Sequence, residues 1–194
     1  MQATQPSPST SQTLQQYHAV FGRCKDLFLR KTADYGTSWR VLRSVSIVDQ
    51  IYIKAWRIRQ IQEGVVQKIS DSVESEFIGI VNYGIIALIQ MELSAEAEID
   101  LETSKAKRLY ESHAGAVEEL MLQKNHDYGE AWREMCQESF VDLILTKLLR
   151  VKQIIANSGR TQVSEGADAN FADIVNYAVF ALIKMGEGNS NTQS

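Results

Sequence analysis

One short constellation of potentially reactive residues occurs twice in the chain. Lys31, Asp34, Tyr35, Trp39 and Arg40 surround Gly36, and Lys124, Asp127, Tyr128, Trp132 and Arg133 surround Gly129 at the same spacing. Aromatic faces beside paired cations suit a nucleobase and its phosphate. A turn closing a helix accounts for the glycine and the aromatics equally well, but does not require a cation on each side. A second set, Asp49, Lys54 and Arg57, recurs as Asp142, Lys147 and Arg150. On a helix, Arg57 lies about 80° and Lys54 about 140° from Asp49, so all three share one broad side. Lys54 and Arg57 are neighbours of like charge. They call for a carboxylate from another helix, or for an anionic ligand. An ordinary solvated, salt-bridged face is the alternative.

A third set lies near the end of the chain. Asp173 and Asn176 stand three residues apart in an otherwise apolar stretch, where unpaired polar groups are costly. Either they satisfy each other and the Lys/Arg set, or Asp173 joins Glu165 and Asp168 of the preceding loop, with Asp142, in holding Mg²⁺. The first copy has Gly79 where the second has Asp173, while Asn82 and Tyr83 match Asn176 and Tyr177. A metal site is therefore expected in the second copy alone. His126, whose counterpart is Ala33, is a candidate general base or phosphate contact there.

These residues are positioned by a tandem repeat. The copies align at an offset of 93 residues, rising to 94 after one insertion, with identity of roughly 40% over the aligned core. Apolar spacing near 3.6 predicts helices over 14–30, 46–61 and 74–93, then over 101–124, 139–157 and 168–185. Ser46 with Asp49 reads as a capping box for the second helix. The expected fold is all-α: two three-helix repeats, 14–93 and 104–186, packed into one pseudo-two-fold bundle. An acidic linker spans 94–103, and disordered tails are expected at 1–13 and 187–194.

Composition narrows the classes. Of 194 residues, 44% are hydrophobic and 23% charged, which is globular rather than disordered. The net charge of −4 gives no global pull toward nucleic acid, which is not expected as a partner. Two cysteines make no disulfide framework. No signal peptide and no membrane span are read, so the expected location is cytoplasmic. A homodimer stays open.

The run Lys-x-x-Asp-Tyr-Gly-x-x-Trp-Arg, then Asp…Lys-x-x-Arg, then Asp-x-x-Asn-Tyr-Ala, resembles the nucleotide modification associated domain 1 family. The resemblance spans Tyr17 to Met91 and Tyr110 to Met185. It implies nucleotide or modified-base metabolism. A more distant similarity, to the MazG-like all-α nucleotide pyrophosphatases, implies Mg²⁺ on helix-borne carboxylates and hydrolysis of nucleoside triphosphates. On that basis Asp173, Glu165 and His126 are the expected catalytic residues, and Asp173, Glu165 and Asp142 the expected metal ligands. A nucleotide would meet Lys124, Asp127, Tyr128, Trp132, Arg133, Lys147, Arg150 and Asn176. In the first copy the matching contacts are Lys31, Asp34, Tyr35, Trp39, Arg40, Lys54, Arg57 and Asn82. A non-catalytic nucleotide-binding module is the alternative, and a purely structural scaffold the third reading.

Overall fold

A computed structural model describes residues 8–93, 98–161 and 165–191. The expected tails over 1–7 and 192–194, and the linker residues 94–97, lie outside them. Six long helices follow in order: α1 (Pro8–Tyr35), α2 (Ser44–Gln62), α3 (Val73–Glu92), α4 (Thr103–Tyr128), α5 (Gln137–Ala156) and α6 (Ala167–Asn191). No strand occurs among the described residues. The fold is the all-α bundle expected from the periodicity. Helix α1 starts six residues before the expected Leu14 and α6 runs past Met185, so parts of both expected tails are helical.

The middle of the bundle is α3 against α6, with α2 against α5 beside them, while α1 and α4 lie across α3 and α6. Apolar residues on nearly every side of α3 and α6 require this central place. Phe77, Ile80, Ile85 and Ile89 of α3 are fully buried, as are Ile174, Val175 and Ala178 of α6. By length and mean hydropathy α3 could cross a membrane, yet here it is a core helix carrying the buried polar residues Glu76 and Asn82. Gly84 lets α3 approach α6, since a side chain there would run into Val175.

Two matched polar bridges lock the repeats together. The Tyr17 hydroxyl of α1 donates to Asn176 Oδ1 at 2.6 Å, and the Tyr110 hydroxyl of α4 donates to Asn82 Oδ1 at 2.8 Å. Each amide nitrogen turns the other way: Asn82 donates to the Cys24 carbonyl at 3.1 Å and Asn176 to the Val117 carbonyl at 3.2 Å. Each asparagine thus grips the long helix of its own repeat through the backbone and that of the other repeat through a tyrosine. Burial holds both phenols well above their usual pKa, so they remain donors. Outside, Arg59 pairs with Asp142 at 3.6 Å and Lys152 with Asp49 at 2.8 Å, again as symmetry mates across α2 and α5. These exposed pairs set register more than stability.

The capping box does not form. Helix α2 begins at Ser44 with Arg43 as its N-cap and no side-chain cap, so Ser46 is already helical. Asp49 faces Lys152 of the other repeat instead. At α3 the expected kind of cap is present, with Ser72 accepting from the Ser75 amide.

Candidate functional site

The Asp-Tyr-Gly-x-x-Trp-Arg element splits into two parts with different jobs. Lys31, Asp34 and Tyr35 belong to the last turns of α1, not to a loop. Gly36 and Gly129 take φ of 66° and 63° and turn the chain into short 3₁₀ segments, Ser38–Val41 and Ala131–Glu134. Trp39 and Trp132 are buried there. Trp132 stacks on Phe180 at 4.3 Å, and the Arg133 guanidinium covers its ring at 4.3 Å. With its faces so covered, Trp132 has no surface left for a base. Trp39 packs beside Phe28.

Arg40 and Arg133 are clamps. Arg40 bonds Gln90 and, at 3.2 Å, the Glu98 carbonyl, fixing the linker where it enters α4. Arg133 bonds Glu130, Glu187, Thr13 and Gln16, fixing the start of α1. Gln90 and its counterpart Lys184 each collect carbonyls of the neighbouring turn. Replacing Arg133 with alanine removes several charge-assisted bonds. We expect a loss of about 2 kcal/mol and early proteolysis or hydrogen exchange in the first turns of α1, with the rest of the bundle protected.

The remaining cations gather around the third helix of each repeat, and here the copies part. In copy two, both oxygens of the buried Asp173 carboxylate are held: Oδ1 by Lys124, and Oδ2 by Lys147 at 2.6 Å. Burial works against charge on Lys124, but the bond and charge of Asp173 outweigh it and raise its pKa. In copy one the corresponding residue is Gly79. Its buried carboxylate is Glu76, one helical turn earlier, where copy two has Asn170. Arg57 binds Glu76 Oε1, and Lys54 binds Oε2 at 3.0 Å with its stem lying over Gly79. Arg57 also holds the α2–α3 loop through Asp71 and the Ile69 carbonyl at 3.0 Å. Lys31, the counterpart of Lys124, makes no ion pair among the described residues.

The missing side chain leaves space. A cavity of about 540 Å³ opens over Gly79, within the range of small-molecule sites. Lys31, Lys54, Glu76 and Ser75 line one end, and Tyr35, Gln50, Tyr83 and Ile86 the other. Partial burial, and after it the nearby phenol of Tyr83, raise the pKa of Tyr35.

Several expected residues do not join a site. His126 is exposed and pairs with Asp127 at 3.2 Å, and neither is among the partners of the buried Asp173. Asp34 and Tyr128 are exposed too. Asn176 is engaged by its tyrosine bridge; Asn82 lines the copy-one cavity, with its amide taken up by Tyr110 and the Cys24 carbonyl. Arg150 has lost the acidic partner of its counterpart Arg57, because Asn170 stands for Glu76. It lies with Glu165 along a shallow groove on copy two. The metal set does not assemble. Asp142 is on the outer face with Arg59, Glu165 is exposed, and lysines take both oxygens of Asp173. Among the described residues no three His, Cys, Asp or Glu side chains could hold a metal ion together. These residues do not fit Mg²⁺.

The sequence reading overlooked Glu76, Gln50 and the tyrosine pair Tyr17/Tyr110. Aligning α3 with α6 at the offset of 94 exposes the first of these, since it sets Glu76 against Asn170 as it sets Gly79 against Asp173. No curated protein and no solved structure matches the chain. The family model described as nucleotide modification associated domain 1 matches residues 31–91 and again 124–185, from the lysine of each cation set to the end of each third helix. Those stretches make up more than half of the chain, which therefore belongs to that family and carries its domain twice.

Proposed function

We propose that this protein binds a nucleotide in the cavity of copy one, without hydrolysing it, and that copy two is a self-filled version of the same site. One observation carries the reading. Asp173 places a carboxylate between Lys124 and Lys147, and over Gly79 the matching lysines, Lys31 and Lys54, have no such group between them. Copy two is an internal template for how an anion sits in copy one. A phosphate oxygen pair would take the place of the Asp173 carboxylate, with Lys54 turning from Glu76 toward it. The tyrosines and Gln50 beyond offer π-faces and an amide to a base. The family supports a nucleotide as the anion. The pyrophosphatase reading would need carboxylates free for a metal, and Asp173 and Glu76 are both held by cations.

Calorimetry and thermal melting with a nucleotide panel, in EDTA and then in Mg²⁺, test this. Binding should appear in EDTA with one site per chain. At a hundredfold excess over Kd it should stabilise the fold by about 2.7 kcal/mol. No phosphate or pyrophosphate should be released. Absence of binding, or Mg²⁺-dependent release, would overturn the proposal.

A further inference from the structure

We infer that the ligand is a nucleoside monophosphate and that Gln50 is the residue that selects its base; the inference rests on the nucleotide reading above. The cavity has a charged end and a neutral end, each built from three helices. Lys31 of α1, Lys54 of α2 and Gly79 of α3 make the charged end. One turn along each helix, Tyr35, Gln50 and Tyr83 make the neutral one.

The charged end suits one phosphate. Two ammonium groups line it: Lys31, which has no ion pair among the described residues, and Lys54, bonded to Glu76 alone. The third cation, Arg57, is tied to Glu76, Asp71 and two loop carbonyls and does not line the cavity. Glu76 and Asp71 line the same end. A second or third phosphate would bring further negative charge toward these carboxylates with no added cation to meet it. No set of metal ligands among the described residues would supply one.

At the neutral end, Gln50 is half-buried, and its amide has no hydrogen-bond partner among the described residues. Its counterpart in the filled copy is Leu143, so the amide is particular to the open one. A primary amide offers a donor and an acceptor side by side, matching the donor–acceptor pairs on nucleobase edges. Tyr35 and Tyr83 flank the same space and offer ring faces to the base.

The test is calorimetry in EDTA on the full chain. Adenosine, guanosine, cytidine, uridine and deoxythymidine are each tried as nucleoside, mono-, di- and triphosphate, with inorganic phosphate alongside. For the preferred base, the monophosphate should bind at least about tenfold tighter than the nucleoside, the triphosphate or inorganic phosphate. Gln50→Leu, which installs the residue of copy two, should bring the five monophosphates within about threefold of one another while keeping their advantage over the nucleosides. A triphosphate that binds as tightly as the monophosphate overturns the inference but leaves the nucleotide reading standing. So does inorganic phosphate binding as tightly, or base preference surviving Gln50→Leu. Failure of every nucleotide to bind overturns both.

Discussion

Gly79→Asp should abolish ligand binding and leave the fold intact. The substitution gives copy one the carboxylate that copy two already has. A Cβ at this position would stand 2.7 Å from Lys54 Cε and 2.8 Å from Cδ, so something must move. What moves is the far end of a flexible side chain, and in copy two Lys147 has taken the required path, reaching Asp173 at 2.6 Å. The new carboxylate would draw Lys54 and Lys31 together as Asp173 draws Lys147 and Lys124. An arriving anion would lose two charge-assisted bonds, each about 1.5–3 kcal/mol, and meet a like charge instead. The expected loss of affinity is more than about 100-fold. Stability should hold or rise, since glycine is among the poorest residues in a helix interior. Gly79→Ala separates charge from volume. It adds the Cβ without the carboxylate, and should gain up to about 1 kcal/mol of stability while weakening binding much less than Gly79→Asp does. Equal losses in the two variants would mean that space alone, and not an anion seat, is at issue. Undiminished binding in Gly79→Asp would move the ligand elsewhere.

The fold was readable because helical periodicity and the repeat acted together. A fixed offset applied to three apolar stretches leaves little choice but two equivalent halves, each covering the other's central helix. The element ends were less readable. Lys31 to Tyr35 looked like a connection because Gly36 follows so closely, yet a glycine at positive φ ends a helix just behind it, which keeps those side chains on α1. The site was legible only by residue type. Repeated charges pointed correctly to partners, but sequence could not say which partner each one finds. Arg40 and Arg133 went to backbone and termini, Asp49 and Asp142 to the opposite repeat, and Lys124 and Lys147 to Asp173. The sequence places the catalytic and metal residues in copy two, where the acidic residues are, with ligand contacts in both copies. The geometry favours copy one, because a buried carboxylate between two lysines fills the seat an external anion would use. The informative position was the glycine, which has no chemistry of its own.

Asn176→Ala should cost about 3 kcal/mol, and Asn82→Ala a similar amount, because each amide is taken up by the bridge between the repeats. The Tyr17 hydroxyl is completely buried and has Asn176 Oδ1 as its acceptor. Truncation leaves that donor without a partner, removes the bond to the Val117 carbonyl and opens a gap between α1, α4 and α6. For a domain of this size the melting temperature should fall by about 6–12 °C. Adding Tyr17→Phe to Asn176→Ala should recover part of the loss, because it deletes the orphaned donor while keeping the ring in place. The same pairing holds for Tyr110→Phe with Asn82→Ala. Since each asparagine joins the long helix of one repeat to that of the other, all variants should still melt in a single transition, the two repeats losing stability together. Two separate transitions would show that the halves fold independently and that the bridges only dock them. A melting temperature unchanged in Asn176→Ala would mean that the apolar contact of α3 with α6 alone holds the repeats together.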